Sequence, residues 1–434
     1  MRNLVILQII FLFCVQSYEA IGQIDVKLYG AKGDGKNDDT PSIQKAIDEA
    51  SNRDVEVLFP AGVYKVSTIN IKASLRGIGT VRIVRGNFAS ADHYNFCKAQ
   101  NQQNLVIQNI IFDANVVASK SSNVRSKGIP LFVVSCKYIE IKNCAFKNSS
   151  RSGLRIENSS HIKVNSCSTE GTRGNFGDGY YIAKSNQINF SDSKANDYTR
   201  IGFVVEEGSS NIVFENCLAS YGHSASKLTG GTEYNAGFWY ENSSNITTKN
   251  CIARNNTHRG FVASNGKGIN TDANFLFESC VSQKCPIGFS FSSKGKTAVF
   301  VNAIKCKAYD VDRGFVATAR TDRDKFEFNQ CEVYMKKLAA NAANSIAFMW
   351  ESPSSTLSKT RVGSKPKFIY SNSKIFYDKN ENLSLITNGR VNNGDISTHS
   401  GGEVEIVINN VSNSFSNSKL ILKSRRGKPS YINK

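Results

Sequence analysis

A glycine followed by an aromatic residue or leucine returns seven times in this chain: Gly153-Leu154, Gly179-Tyr180, Gly202-Phe203, Gly237-Phe238, Gly260-Phe261, Gly288-Phe289 and Gly314-Phe315. Successive copies lie 26, 23, 35, 23, 28 and 26 residues apart, about 27 on average, a period typical of solenoids. Each repeat carries a second run in which apolar and polar residues alternate, such as Ile139 to Cys144, Ile162 to Cys167, Ile212 to Cys217 and Ile246 to Cys251. Alternation with period two predicts short half-buried strands, and equivalent residues on neighbouring rungs then stack about 4.8 Å apart. A chain of 434 residues would otherwise divide into two or three ordinary domains; a repeat lets one elongated domain grow by stacking.

The cysteines follow the same period. Cys144, Cys167, Cys217, Cys251, Cys280, Cys306 and Cys331 hold one repeat position, which Ser193 fills once. This predicts a ladder of reduced thiols rather than a disulfide framework. Asn158-Ser-Ser-His161, Gly208-Ser-Ser-Asn211 and Asn242-Ser-Ser-Asn245 fall between strands, where Asn and Ser bond to nearby backbone and tolerate left-handed geometry. The expected fold is all-β: a single-stranded right-handed parallel β-helix with two or three strands per coil. Ahead of it, Asp39-Thr40-Pro41 offers an N-cap and an N1 proline, and Ile43, Ala46, Ile47 and Ala50 share one helical face, predicting a helix that plugs the open end of the coil.

The expected organisation is a leader over 1–22, an N-terminal cap and first coils over 23–80, the β-helix over 81–352, and loop-rich C-terminal rungs with a cap over 353–434. The leader reads as a secretory signal peptide, with Arg2, an apolar run from Leu4 to Val15 and small residues near Ala20. That run is shorter than the roughly 20 residues that span a bilayer, so export is expected, to the periplasm or beyond, with no stable membrane insertion. The formal charge of +18 points to an anionic partner.

The segment from Ile24 to Thr40, Ile-Asp-Val-Lys-Leu-Tyr-Gly-Ala-Lys-Gly-Asp-Gly-Lys-Asn-Asp-Asp-Thr, followed by the helix and by Leu58-Phe-Pro-Ala-Gly-Val-Tyr64, resembles the N-terminal region of the pectate-lyase-like β-helix superfamily. That superfamily includes rhamnogalacturonases, polysaccharide lyases, mannuronan epimerases and phage tailspikes. The resemblance implies a secreted, carbohydrate-active β-helix. Mannuronan epimerases carry Asp-Pro-His-Glu where the best-matching rung here reads Gly179-Tyr-Tyr-Ile-Ala-Lys184. Of the three aspartates and Gly-His-Gly of polygalacturonases, only fragments stand here, Gly177-Asp178-Gly179 and Gly222-His223-Ser224.

Alternation along the glycine strand sends the aromatic at +1 inward and the residues at +2 and +4 outward. The outward set is Arg155, Glu157, Tyr181, Glu206, Trp239 and Glu241, expected to form an exposed row that binds an elongated sugar chain. Arg151, Arg200, His258 and Arg259 lie in the turns just before these strands, and the longest spacing contains His223 and Lys227, an insertion of the kind that carries function. β-Elimination of a uronate needs a cation on the carboxylate and a base at C5. On that reading Arg200 or Arg259 clamps the carboxylate, and Tyr181, His223, Lys227 or His258 supplies base and acid; Arg155, Glu206, Trp239 and Glu241 bind substrate. The expected activity is lyase cleavage of an acidic polysaccharide. Hydrolysis by Asp178 with Glu206 or Glu241 is the alternative, and a non-catalytic glycan-binding solenoid is the third reading. Nucleic acid is not an expected partner. No cofactor is required by these patterns, although Asp34, Asp38 and Asp39 are the type of cluster that takes Ca²⁺; capping by Asp39 or Thr40 accounts for them as well. The Gly30 to Asn37 stretch nearly spells a phosphate-binding loop, but Asn37 stands where Ser or Thr is needed.

Overall fold

The computed structural model describes residues 22–86, 96–116, 128–174, 176–223, 235–265, 271–293, 297–335, 346–351 and 366–376, with backbone strands between 386 and 433. Their strands form three long parallel sheets of 13, 15 and 14 members, and an antiparallel hairpin, Arg390–Asn392 with Asp395–Ser397, stands apart. One coil visits the sheets in turn: Ser152–Glu157 in the first, Ser160–Asn165 in the second and Ser168–Thr172 in the third, before Asp178–Ala183 returns to the first. This is the right-handed parallel β-helix, with three strands per coil.

Pairing register places the aromatic at +1 on one inward column, Leu154, Tyr180, Phe203, Phe238, Phe261, Phe289 and Phe315. From Tyr180 to Phe315 neighbouring ring centres are 4.6–4.9 Å apart with nearly parallel planes, so each ring packs on the next at the rung spacing. The preceding glycine has its own cause. A Cβ at Gly202 would lie 2.6 Å from the Gly237 carbonyl oxygen and 2.8 Å from Ala219 Cβ, and one at Gly237 would lie 2.6 Å from Ala253 Cβ. The strand enters too close to the neighbouring rung and to the third sheet for any side chain.

The cysteines stand as the repeat predicts. All ten described are buried and free, and those of the ladder bond through Sγ to carbonyls of their own turn or the previous coil, as Cys167 does to Asn165 O at 3.3 Å and Ile141 O at 3.5 Å. Burial keeps all ten sulfurs out of reach of solvent. We expect a thiol-reactive dye to leave all ten unmodified in the folded protein and to label them only after denaturant is added; rapid labelling before unfolding would refute the buried ladder. The turns are left-handed where expected, at Asn158, His161, Gly208, Asn211, Asn242 and Asn245.

The helix spans Thr40–Arg53 and buries Ile43, Ala46, Ile47 and Ala50 completely. Its start differs in detail from the expectation. Pro41 is the second helical residue, not the first; Asp39 holds the N-cap position as expected, but its side chain makes no capping bond, and it is Asp38 whose Oδ1 accepts the Thr40 N–H at 3.0 Å and the Thr40 hydroxyl at 2.5 Å. Asp39 instead turns back, accepting the Lys32 and Gly33 N–H groups at 2.6 and 3.1 Å, and so fastens the glycine-rich turn to the helix. Asp34 accepts the N–H groups of Lys36 and Asn37 at 2.8 and 3.0 Å. These bonds engage the three carboxylates in turn and cap chemistry. Residues 1–21 of the expected leader lie outside the described residues. Among the described ones, no helix is long and apolar enough to cross a membrane.

Candidate functional site

The outer face of the first sheet carries one continuous set of polar contacts at its middle rungs. Asp178 opens the strand Asp178–Ala183, and Arg200 stands in the turn before Ile201–Glu206. The Arg200 guanidinium grips Asp178 with two bonds, Nε to Oδ1 at 2.7 Å and Nη2 to Oδ2 at 2.6 Å, and the same Nη2 is 3.9 Å from Glu206 Oε1. The Tyr181 hydroxyl donates to Glu206 Oε2 at 3.0 Å and to Glu207 Oε1 at 3.4 Å. Asp178 Oδ2 and Glu206 Oε1 therefore meet at one nitrogen. Glu241 follows Glu206 in register on the next strand, since Val205 pairs with Tyr240 one position earlier, which sets their backbones about 4.8 Å apart.

Burial decides what each group can do. The Asp178 side chain is 1% exposed, whereas Arg200 and Glu206 are 20% and 21% exposed. Burial raises the Glu206 carboxyl above its ordinary value; the Arg200 cation and the Tyr181 hydroxyl pull it down, and the negative charges of Asp178 and Glu241 push it up again. Burial also raises Asp178 against the pull of Arg200, and the two-bond grip keeps it an ion pair. Burial and the charge of Glu206 push the Tyr181 phenol well above its ordinary value.

The outward row differs from the exposed strip expected of it. Arg155, Tyr181 and Trp239 point outward but are buried to 9%, 6% and 8% exposure. The Arg155 guanidinium lies 4.0 Å from the Tyr181 ring centre and Arg259 lies 5.6 Å from that of Trp239. Tyr181, Ile201, Val204, Ala236, Trp239 and Val262 also pack into an apolar cluster of their own on this side of the sheet. The rings expected to stack on sugar are thus engaged by guanidiniums and by each other, and Arg155 is additionally paired with Glu157.

The structure brings together Arg155, Tyr181, Arg200 and Glu206, with Glu241, Trp239 and Arg259 on the following rungs. His223 belongs to a different contact: its Nε2 is 3.1 Å from Asp197 Oδ1, and Asp197 is also paired with Arg173. His258 is half-buried in the turn that leads into Arg259–Asn265. Lys227 lies outside the described residues. Two residues that the repeat pattern did not flag also belong here. Asn235 donates through Nδ2 to Arg200 O at 3.1 Å and accepts Thr257 N–H at 3.2 Å, fixing the backbone that carries Arg200. Phe176 sits outside the strand, in the turn before Asp178; the only trace of it in the sequence is an aromatic residue between Gly174 and Gly177. Among the described residues no group of three or more His, Cys, Asp or Glu is arranged to hold a metal ion.

Comparison with known proteins gives a consistent answer on the fold. The family profile described as Rhamnogalacturonase A/epimerase, pectate lyase-like, matches residues 23–233. An exopolygalacturonase from Arabidopsis thaliana is 25% identical over 253 residues, covering 54% of this chain and 55% of its own length; the chain spans about half of that relative. Among solved structures, an exopolygalacturonase from Thermotoga maritima superposes with a TM-score of 0.50 at 12% identity, over 82% of this chain and 87% of its own. The surface adhesin PfbA of Streptococcus pneumoniae gives 0.53 at 11% identity, over 91% and 93%. The enzymatically active domain of tailspike protein 2 of bacteriophage CBA120 gives 0.53 at 13%, over 77% and 54%. At these identities the structural likeness concerns the fold.

Proposed function

We propose that this chain, whose residues 23–233 match the Rhamnogalacturonase A/epimerase, pectate lyase-like family and whose fold is the right-handed β-helix, hydrolyses glycosidic bonds of an acidic polysaccharide at its Glu206–Glu241 edge. The observation that carries the reading is a pair of carboxylates in register on adjacent strands, one of which, Glu206, is held above its ordinary pKa. Glycosidases need two carboxyl groups, and a raised pKa suits the one that protonates the leaving oxygen. Glu206 takes the acid role, its free side oriented by the Tyr181 hydroxyl, and Glu241 acts as base toward water or as nucleophile. Asp178 is a positioning residue: buried and gripped by Arg200, it fixes the guanidinium that stands beside Glu206.

Two observations favour hydrolysis over the β-elimination expected from charge. The Arg200 guanidinium, the expected carboxylate clamp, has two of its nitrogens committed to Asp178. Tyr181, an expected base, donates its proton to Glu206 and is pushed to a higher pKa, so it is a poor proton acceptor at neutral pH. The relative with a substrate in its name is an exopolygalacturonase, which fits the same reaction. The resemblance of residues 1–22 to a secretory signal peptide supports an action outside the cytoplasm.

The test is to incubate the exported chain with a panel of uronate polymers and follow new reducing ends and the ultraviolet absorbance of unsaturated uronyl products together. We expect reducing ends alone. Both signals rising would replace hydrolysis by elimination, and silence in both would leave a glycan-binding surface in place of an enzyme.

A further inference from the structure

Phe176, like Tyr138 and Tyr221, is an exposed aromatic residue outside the inward column of the repeat. It is 53% exposed, whereas the phenylalanines at the +1 repeat position are fully buried or nearly so. Its position is fixed by backbone contacts on both sides. The Thr199 hydroxyl bonds Gly174 O at 2.5 Å, and Gly177 O accepts the N–H groups of Thr199 and Arg200 at 3.2 and 3.0 Å. A Cβ at Gly174 would lie 2.2 Å from Ser150 O, and one at Gly177 the same distance from Thr199 Oγ1. The turn thus needs both glycines and holds an apolar ring in water. Such exposure forgoes hydrophobic stabilisation, and a rigidly held ring on a loop beside a reactive site is a mark of binding.

Its neighbours set the chemistry of what it binds. The guanidinium carbons of Arg200 and Arg151 lie 5.2 and 5.7 Å from the ring centre, farther than the 4.0 Å of Arg155 over Tyr181, and the ring keeps half of its surface open. The Asp178 N–H bonds Phe176 O at 2.9 Å and Arg151 O at 2.7 Å, so ring, Arg151 and the Asp178–Arg200–Glu206 chain form one connected unit. Burial and the neighbouring charge of Arg155 hold Arg151 below its ordinary pKa against the pull of Asp178 and Glu157.

We propose that Phe176 and Arg151 form the subsite for a uronosyl residue, the ring packing on the apolar face of the pyranose and the guanidinium pairing with its carboxylate. The subsite rests on the Glu206–Glu241 reading for which bond is cleaved, but its binding does not depend on turnover.

Calorimetric titration with polygalacturonate, rhamnogalacturonan, alginate and hyaluronan, and with the carboxyl-reduced form of whichever binds, tests it. Phe176→Ala is expected to weaken binding of the acidic polymer about tenfold, equivalent to about 1.4 kcal/mol, with an unchanged melting temperature because the ring is exposed. Arg151→Gln is expected to weaken the acidic polymer by a similar factor and leave the reduced polymer alone, with partial recovery in Arg151→Lys. Wild-type affinity in Phe176→Ala, equal losses on both polymers in Arg151→Gln, or no binding of any uronate polymer by the wild type would each overturn the subsite. Intact binding without new reducing ends would instead overturn the hydrolase reading and leave the subsite standing.

Discussion

Glu206→Gln is expected to lower kcat by about 10²- to 10⁴-fold, the range for losing a general acid, while glycan affinity changes little. The amide keeps an acceptor for the Tyr181 hydroxyl, which now donates to Glu206 Oε2 at 3.0 Å, so the geometry should survive while the transferable proton is lost. The pH profile supplies a second check. A proton donor works only below its pKa, so wild-type kcat/KM should fall as pH rises through the elevated Glu206 value, and this alkaline limb should vanish in the variant. Retention of more than half of the wild-type rate, or an unaltered alkaline limb, would remove Glu206 from the acid role.

The largest loss of stability is expected from Asp178→Asn. Asp178 is 1% exposed and is the carboxylate gripped by Arg200, itself only 20% exposed. Removing one member of a buried pair leaves the other as an uncompensated charge, at a cost of about 3–5 kcal/mol. The urea midpoint should drop accordingly. The double variant Asp178→Leu/Arg200→Met removes both charges, and it should recover much of the midpoint because apolar replacement of a buried pair is often neutral. It should not recover activity, since Glu206 then loses the cation at 3.9 Å. A single variant as stable as the wild type would show that Arg200 finds water or another carboxylate, and that the pair does not hold the rung together.

The coil was legible in the sequence because it is periodic. The Gly-aromatic pairs, the cysteine column and the Asn-Ser turns each report the same physical repeat, and Phe203, Cys167 and Asn211 stand where that repeat places them. The direction of the +2 and +4 residues was also legible, since alternation fixes it. Their burial was not. Tyr181 and Trp239 were expected to meet solvent, yet Arg155 and Arg259 lie over their rings; nothing in a period of two tells whether an outward side chain meets water or another side chain. Asp178 was visible as a carboxylate of the right region, but its capture by Arg200 depends on a turn and a strand 22 residues apart in sequence. Phe176 was missed because it lies between rungs, where the repeat makes no statement. At the helix start Asp39 holds the N-cap position that the sequence offers, but the turn draws its carboxylate toward Lys32 and leaves the bond to Thr40 to Asp38, a choice the local sequence does not decide.

The stacked ring column from Tyr180 to Phe315 has a further consequence. Each ring stacks on its predecessor and successor and otherwise meets rings of its own or an adjacent coil, as Phe203 meets Phe190 and Phe214 and Phe261 meets Phe277, so cohesion passes along the axis like the links of a chain, and opening travels inward most easily from the ends. The rungs from Asp178 to Glu241 lie in the interior of that chain. Fraying of the terminal coils would therefore leave the spacing between Glu206 and Glu241 untouched until unwinding had run through all the coils on one side of them.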